Sequence, residues 1–351
     1  MTNAPTSMAS PTRFDMQARA LAPGIAFAVA VALAAVFSAP YVARIAPIPA
    51  MVLALIIGIA LNPIASRPLF TPGLTFCVKK LLRWAVALLG LRIALGEIIA
   101  LGVPVALIVV VSMALTIVSG FLLARLFQQH AGFGALAGAG TAVCGASATL
   151  ATSIVVPNYN GKEADTVFVV IAVNALSTVA MVLYPPLCAW LGFDTTLTGV
   201  MLGATIHDVA QVVGAGYAVS EPVGNTAVIV KLFRVFLLLP VVLAIGWWFL
   251  RSGEEAGDAK VPIPVFALVF LALCIVNSAM PYVPSLTPVY APIKDMLVFA
   301  STWGLLIAIA ALGLGTSLTA ITALGWRHVA TVTGTTLVIL VIATGGLLAL
   351  R

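Results

Sequence analysis

Lys231 and Arg234 stand three residues apart in NTAVIVKLFRVFLLLP, a run that is otherwise almost wholly apolar. On a helix that spacing puts both cations on one face. Each charge costs about 2.5–3.5 kcal/mol near the centre of a membrane helix, so an anion or water must compensate. Two chemistries fit: an anion-binding pair, or side chains that snorkel to the headgroups or meet a carboxylate such as Asp208 or Glu221. A second ionisable pair, His207 and Asp208, lies in GATIHDVAQVVGAG. Such groups inside an apolar segment mark ion or proton paths, and an imidazole titrates near neutral pH. The pair reads either as a proton-coupling site or as a hydrogen-bonded structural dyad. If the segment is helical, Gln211 and Gly214 share the face of His207, with Asp208 about 100° round. One His and one Asp without a third ligand do not make a metal site, and no phosphate-binding loop or other cofactor signature is present.

The third constellation is GAGTAVCGASAT, residues 138–149. Gly138, Gly140 and Gly145 free the backbone, while Thr141, Cys144, Ser147 and Thr149 supply small polar side chains. If the helix opens here, the N–H groups that start its second half bind an oxyanion without any charged side chain. The competing reading is a small-residue packing face. Asn174 and Ser177, in VNALSTVAM, read as interhelical hydrogen-bonding groups behind the site, and Arg92 as part of an inner network or as a side chain reaching an interface. The expected substrate contacts are therefore Lys231, Arg234, Gly140, Thr141, Cys144, Gly145, Ser147 and Gln211, with His207 and Asp208 as coupling groups.

The elements that must position these residues are membrane helices. The 351 residues are 62% hydrophobic and 8% charged, with a mean hydropathy of +1.18, which excludes a soluble globular protein. Apolar runs between polar punctuation predict eleven spans, about 23–43, 47–62, 81–100, 103–126, 134–156, 166–191, 198–219, 225–250, 262–280, 292–314 and 327–350. A polar tail, 1–21, precedes a single transmembrane domain, 22–351. The tail lacks an apolar h-region, so the first span is expected to be retained rather than cleaved. Lys and Arg are scattered singly at span ends and form no nucleic-acid-binding stripe. With a cytoplasmic N-terminus, ten fall inside against four outside (Arg44, Lys162, Lys294 and Arg351), as the positive-inside rule prefers. Cys77, Cys144, Cys188 and Cys274 show no C-x-x-C spacing, so neither zinc nor a disulfide framework is expected. The loop Arg251 to Lys260 is the one strongly polar internal linker.

The chain also resembles itself. ALLGLRIALGEIIALG from Ala87 aligns without gaps on AALGLGTSLTAITALG from Ala310, with 9 of 16 positions identical. PIPAMVLALIIGIALN from Pro47 aligns on PIPVFALVFLALCIVN from Pro262, sharing Pro-Ile-Pro, one Leu and the final Asn. If the eleven spans are right, the copies (about 47–126 and 262–350) lie seven crossings apart. They then have opposite orientation, the inverted repeat of secondary transporters. The alternative is the general likeness of apolar sequences.

Carrying GTAVCGASA, NALSTVAM, ATIHDVAQVVGAG and VKLFRV in this order, the chain resembles the YeiH-type family of bacterial inner-membrane proteins, commonly labelled sulfate exporters. The likeness runs from about residue 22 over nearly the whole chain. It implies a multi-helix transporter fold related to the bile-acid and arsenite transporter superfamily, with inverted repeats and crossed discontinuous helices. The function expected is secondary transport of a small anion, sulfate or a sulfonate relative, by alternating access with a coupled proton. The partners expected are that anion, the bilayer and a second copy of the chain, with no nucleic acid and no cofactor. A membrane-embedded enzyme using Cys144 and His207, and a passive anion channel, are the competing classes.

Overall fold

The computed structural model describes residues 13–42, 50–251, 265–315 and 325–351, and every regular element among them is helical. Seven of the described helices are long and apolar enough to cross a bilayer: Arg19–Val42, Gly102–Leu126, Lys162–Trp190, Glu221–Arg251, Val265–Tyr282, Thr287–Gly315 and Trp326–Leu350. The first twelve residues of the expected tail, the polar linker from Ser252 onward and the repeat positions 47–49, 262–264 and 316–324 lie outside the described residues.

The chain divides into two compact units, Met1–Leu82 with Leu306–Thr316, and Arg83–Leu305 with Ser317–Arg351. In the first, α1 (Arg13–Val42) meets α3 (Thr71–Phe76) so closely that a Cβ on Gly24 would lie 2.2 Å from the Phe70 carbonyl oxygen. The same unit packs α2 (Ala50–Ala60) on residues 306–315: a Cβ on Gly313 would lie 2.5 Å from Leu55 O, and Asn62 Nδ2 donates to Leu314 O at 2.8 Å. The second unit contains the same pattern between other partners. A Cβ on Gly90 would lie 2.3 Å from Phe270 O, and Asn277 Nδ2 donates to Ile93 O at 3.3 Å. In the sequence alignment Leu55 corresponds to Phe270, Gly90 to Gly313 and Asn62 to Asn277.

The longer helices of the second unit are α4 (Gly102–Leu126), α5 (Ala131–Ala142), α6 (Ala146–Val155), α7 (Lys162–Trp190), α8 (Thr195–Thr205), α9 (Val209–Val219), α10 (Glu221–Phe236), α11 (Leu238–Arg251), α12 (Val265–Ala279), the start of α13 (Thr287–Gly315) and α14 (Trp326–Leu350). The expected spans 134–156 and 198–219 differ from the sequence reading: neither runs straight through. A helix from Gly132 to Val156 would separate its ends by about 36 Å. Instead a Cβ on Gly132 would lie 2.7 Å from Val156 Cγ1, and one on Gly140 would lie 2.5 Å from Thr149 Oγ1. The chain turns back at Val143–Gly145, where Gly145 adopts φ +65°, ψ −126°, a conformation essentially restricted to glycine. Likewise Gly199 and Gly216, about 26 Å apart on a straight helix, both meet the first turns of α10. Their added Cβ atoms would lie 2.6 Å from Thr226 Cβ and 2.8 Å from Gly224 Cα. Residues 131–155 and 195–219 are therefore two helical hairpins.

Helix α7 shows how they stand. The first hairpin lies along its first half, where a Cβ on Gly140 would lie 3.4 Å from Val169 Cγ1. The second lies along its second half, with Gly214 against Met181 and Met201 Sδ 3.2 Å from Cys188 Sγ. The tips meet beside Asn174 and Ser177. Helix α14 repeats this order: His328 lies 3.3 Å from Asp165, beside the base of the first hairpin, Thr335 and Thr336 touch the two tips, and Arg351 donates to Leu191 O near the base of the second. The hairpins thus approach from opposite ends of the long helices and touch halfway along them.

Candidate functional site

The tips form the candidate site. A Cβ on Gly145 would lie 3.7 Å from both Asp208 Cβ and His207 O, so the two turns are in direct contact. Four helix ends converge there: α5 and α8 finish, α6 and α9 begin. The last carbonyls of a helix have no partner within it, and away from water each must find a donor in the protein.

Lys231 and Arg234 supply those donors. The Lys231 ammonium donates to Val143 O at 2.7 Å, to Ile206 O at 3.0 Å and to His207 O. The Arg234 guanidinium donates through Nε to Ala142 O at 2.9 Å and through Nη1 to Gly203 O and Ile206 O, both at 2.9 Å. Its Nη2 donates to Thr141 O at 2.8 Å. Both side chains have 0% exposure. The direct partners of both cations are the negative dipole ends of α5 and α8, and among the described residues neither makes an ion pair with a carboxylate. Glu221, one candidate partner, instead pairs with Arg92 at 3.0 Å and is largely exposed, and Arg92 also donates to Thr302.

The beginning ends differ from each other. Asp208 caps α9, its Oδ1 accepting from Ala210 N at 3.3 Å, while its own N–H donates to Ser177 Oγ at 3.1 Å. Helix α6 has only Gly145 at its cap position and no side-chain cap. Ala146, Ser147, Asp208 and Val209 are half-buried, whereas Gly140, Thr141, Cys144, Gly145, His207 and Gln211 are buried. The least buried groups of the junction are therefore the first turn of α6 and Asp208. Two basic side chains face one carboxyl group there.

The structure brings Thr141, Gly145, His207, Asp208, Gln211, Lys231 and Arg234 together at this junction, with Asn174 and Ser177 beside it, whereas Arg92 and Glu221 pair elsewhere. His207 begins no helix, so it does not share a helical face with Gln211 and Gly214; its Nε2 meets Thr336 Oγ1 at 3.0 Å. Gln211 Nε2 donates to Asn174 Oδ1 at 3.0 Å, and its Oε1 has no hydrogen-bond partner among the described residues. Thr335, whose hydroxyl lies 2.9 Å from that of Thr141, and Thr336 were not anticipated. The signal for them is the string TVTGTT in an otherwise apolar helix.

This is a polytopic helical membrane protein in which a buried lysine and a buried arginine hold the junction between two hairpins. The chain belongs to the family described as conserved hypothetical protein 698, which matches residues 23–332, and the YeiH-type resemblance fits it. It is 42% identical to the UPF0324 membrane protein TauZ of Paracoccus pantotrophus over 93% of this chain and 94% of that one. A UPF0324 membrane protein of Chlorobaculum tepidum is 39% identical over 92% of this chain and 88% of its own. Another, from Rhizobium meliloti, is 40% identical over 93% and 92%. These names describe membrane proteins and none is enzymatic. No solved structure matches the chain.

Proposed function

We propose that this protein is a secondary carrier for a small anion, sulfate or a sulfonate, working by alternating access with a coupled proton. The observation that carries the reading is the meeting of two hairpin tips halfway along the long helices, around two buried cations. Irregular backbone at that depth is tolerated where it is buried or lines a wet cavity, and midplane sites at interrupted helices are the habit of secondary carriers. The uncapped first turn of α6, with Ser147 beside it, offers N–H groups to an oxyanion. Lys231 and Arg234 attract the anion through space, since their N–H groups face carbonyls with only one Nη2 hydrogen left over. Asp208, half-buried at the same opening, is the proton carrier, with His207 fixed behind it.

The matching glycine–carbonyl and asparagine contacts in the two units support an internal inverted repeat covering about 47–126 and 262–350. Folding back the first hairpin returns Lys162 to the same side as Arg125, so the charge tally becomes 11 inside against 3 outside. That favours a cytoplasmic N-terminus in a bacterial inner membrane. The enzyme reading needs His207 to serve Cys144 as a base; the imidazole Nε2 is held by Thr336, Nδ1 has no hydrogen-bond partner among the described residues, and the Cys144 variant below decides between the readings. Uptake of labelled sulfate and of a small sulfonate into proteoliposomes, with and without a pH gradient, tests the proposal. Saturable uptake that rises with the gradient supports it; non-saturating flux indicates a channel, and absence of flux for both anions overturns it. A Cys144→Ala variant with full flux removes the enzyme.

A further inference from the structure

In carriers built on interrupted helices, loosened carbonyls and the C-terminal ends of half-helices are the places where Na⁺ binds. This chain has two such ends, on α5 and α8, with six carbonyl oxygens turned to one region: those of Thr141, Ala142, Val143, Gly203, Ile206 and His207. All six accept from Lys231 or Arg234.

We propose that Lys231 and Arg234 are resident counter-cations that fill the carbonyl cages a coupling metal ion would otherwise occupy, so that the protein works without Na⁺. The geometry makes the replacement complete. The ammonium has three hydrogens and three carbonyl partners; the guanidinium spans both helix ends with four hydrogen bonds in its planar fork. Neither cation can dissociate, because each is tethered to α10. A metal ion would meet two fixed positive charges and no free carbonyl in the cages. The driving ion must then act elsewhere, and the half-buried Asp208 is the acidic group at the junction. The flux part of this inference rests on the carrier reading; the binding part does not.

The test uses the full chain, purified in detergent and reconstituted. Melting of the parent protein should be unchanged when Na⁺ is titrated into choline chloride, and sulfate flux should be the same in either salt. Lys231→Ala opens one cage. Its melting temperature in choline should fall by several degrees and should recover, with saturation, when ammonium, methylammonium or Na⁺ is added. Saturable stabilisation of the parent by Na⁺, or a Na⁺ requirement for its flux, overturns the proposal. So does a Lys231→Ala protein that is indifferent to all three cations, or that stays unfolded in each of them. If the parent moves neither sulfate nor sulfonate, the carrier reading falls while the melting experiment still decides this one.

Discussion

At the residue scale, buried cations are held here by backbone rather than by side chains, and their removal should be felt as unpaired carbonyls. An unsatisfied buried polar group costs about 1–3 kcal/mol. Arg234→Lys should therefore be far from conservative: an ammonium has three hydrogens where the guanidinium makes four bonds to two helix ends. We expect a loss of about 1–3 kcal/mol, read as a lower midpoint of thermal unfolding. Asp208→Asn should leave the start of α9 intact, because asparagine caps as well as aspartate, while abolishing the response of anion flux to a pH gradient. A pH-driven rate equal to the parent's would remove Asp208 from the coupling role. The sequence made the identities of these residues legible, since charges in apolar runs stand out. Their partners were not legible, because a carbonyl oxygen belongs to every residue and leaves no mark on composition. The string TVTGTT was visible but is equally the mark of a packing face.

At the scale of elements, glycine decides how near the helices come. A Cβ on Gly120 of α4 would lie 2.4 Å from Gly134 O on α5, so Gly120→Ala must push the first hairpin away from its neighbour. Impaired folding or lowered flux should follow, whereas Gly96→Ala, where a Cβ meets nothing within 4 Å, should be neutral in the same assays. Gly145→Ala tests the turn itself. Its space is open to 3.7 Å, so the penalty is conformational, about 1–3 kcal/mol for a side chain held in that backbone region. The location of both interruptions was readable from small and polar residues in apolar runs. Their direction was not: a glycine-rich break serves a kinked span and a fold-back equally well. A clue did exist in length, since half-helices of 10 to 12 residues are too short to span and suit re-entrant segments.

For the whole molecule, the hairpins change which loops share a side of the membrane. Gln128→Cys and Asn158→Cys, both at exposed positions, should react with an impermeant thiol reagent from one face, and Thr196→Cys from the other. If 131–155 crossed as a single span, Gln128 and Asn158 would label from opposite faces. The four native cysteines are buried, which keeps the background low. At the base of the first hairpin, Asp165 accepts from Tyr159 OH at 2.9 Å and faces His328, and burial together with that carboxylate raises the phenol's pKa. Tyr159 thus stays neutral across the physiological range.

Seven hydrogen bonds tie both hairpin tips to a single helix through two side chains. Prising the tips apart like jaws would strip those carbonyls of the donors that Lys231 and Arg234 supply. Sliding the pair together with its anchoring helix would break none of those links, so on the proposed carrier reading the junction would travel whole, as a sealed cabin.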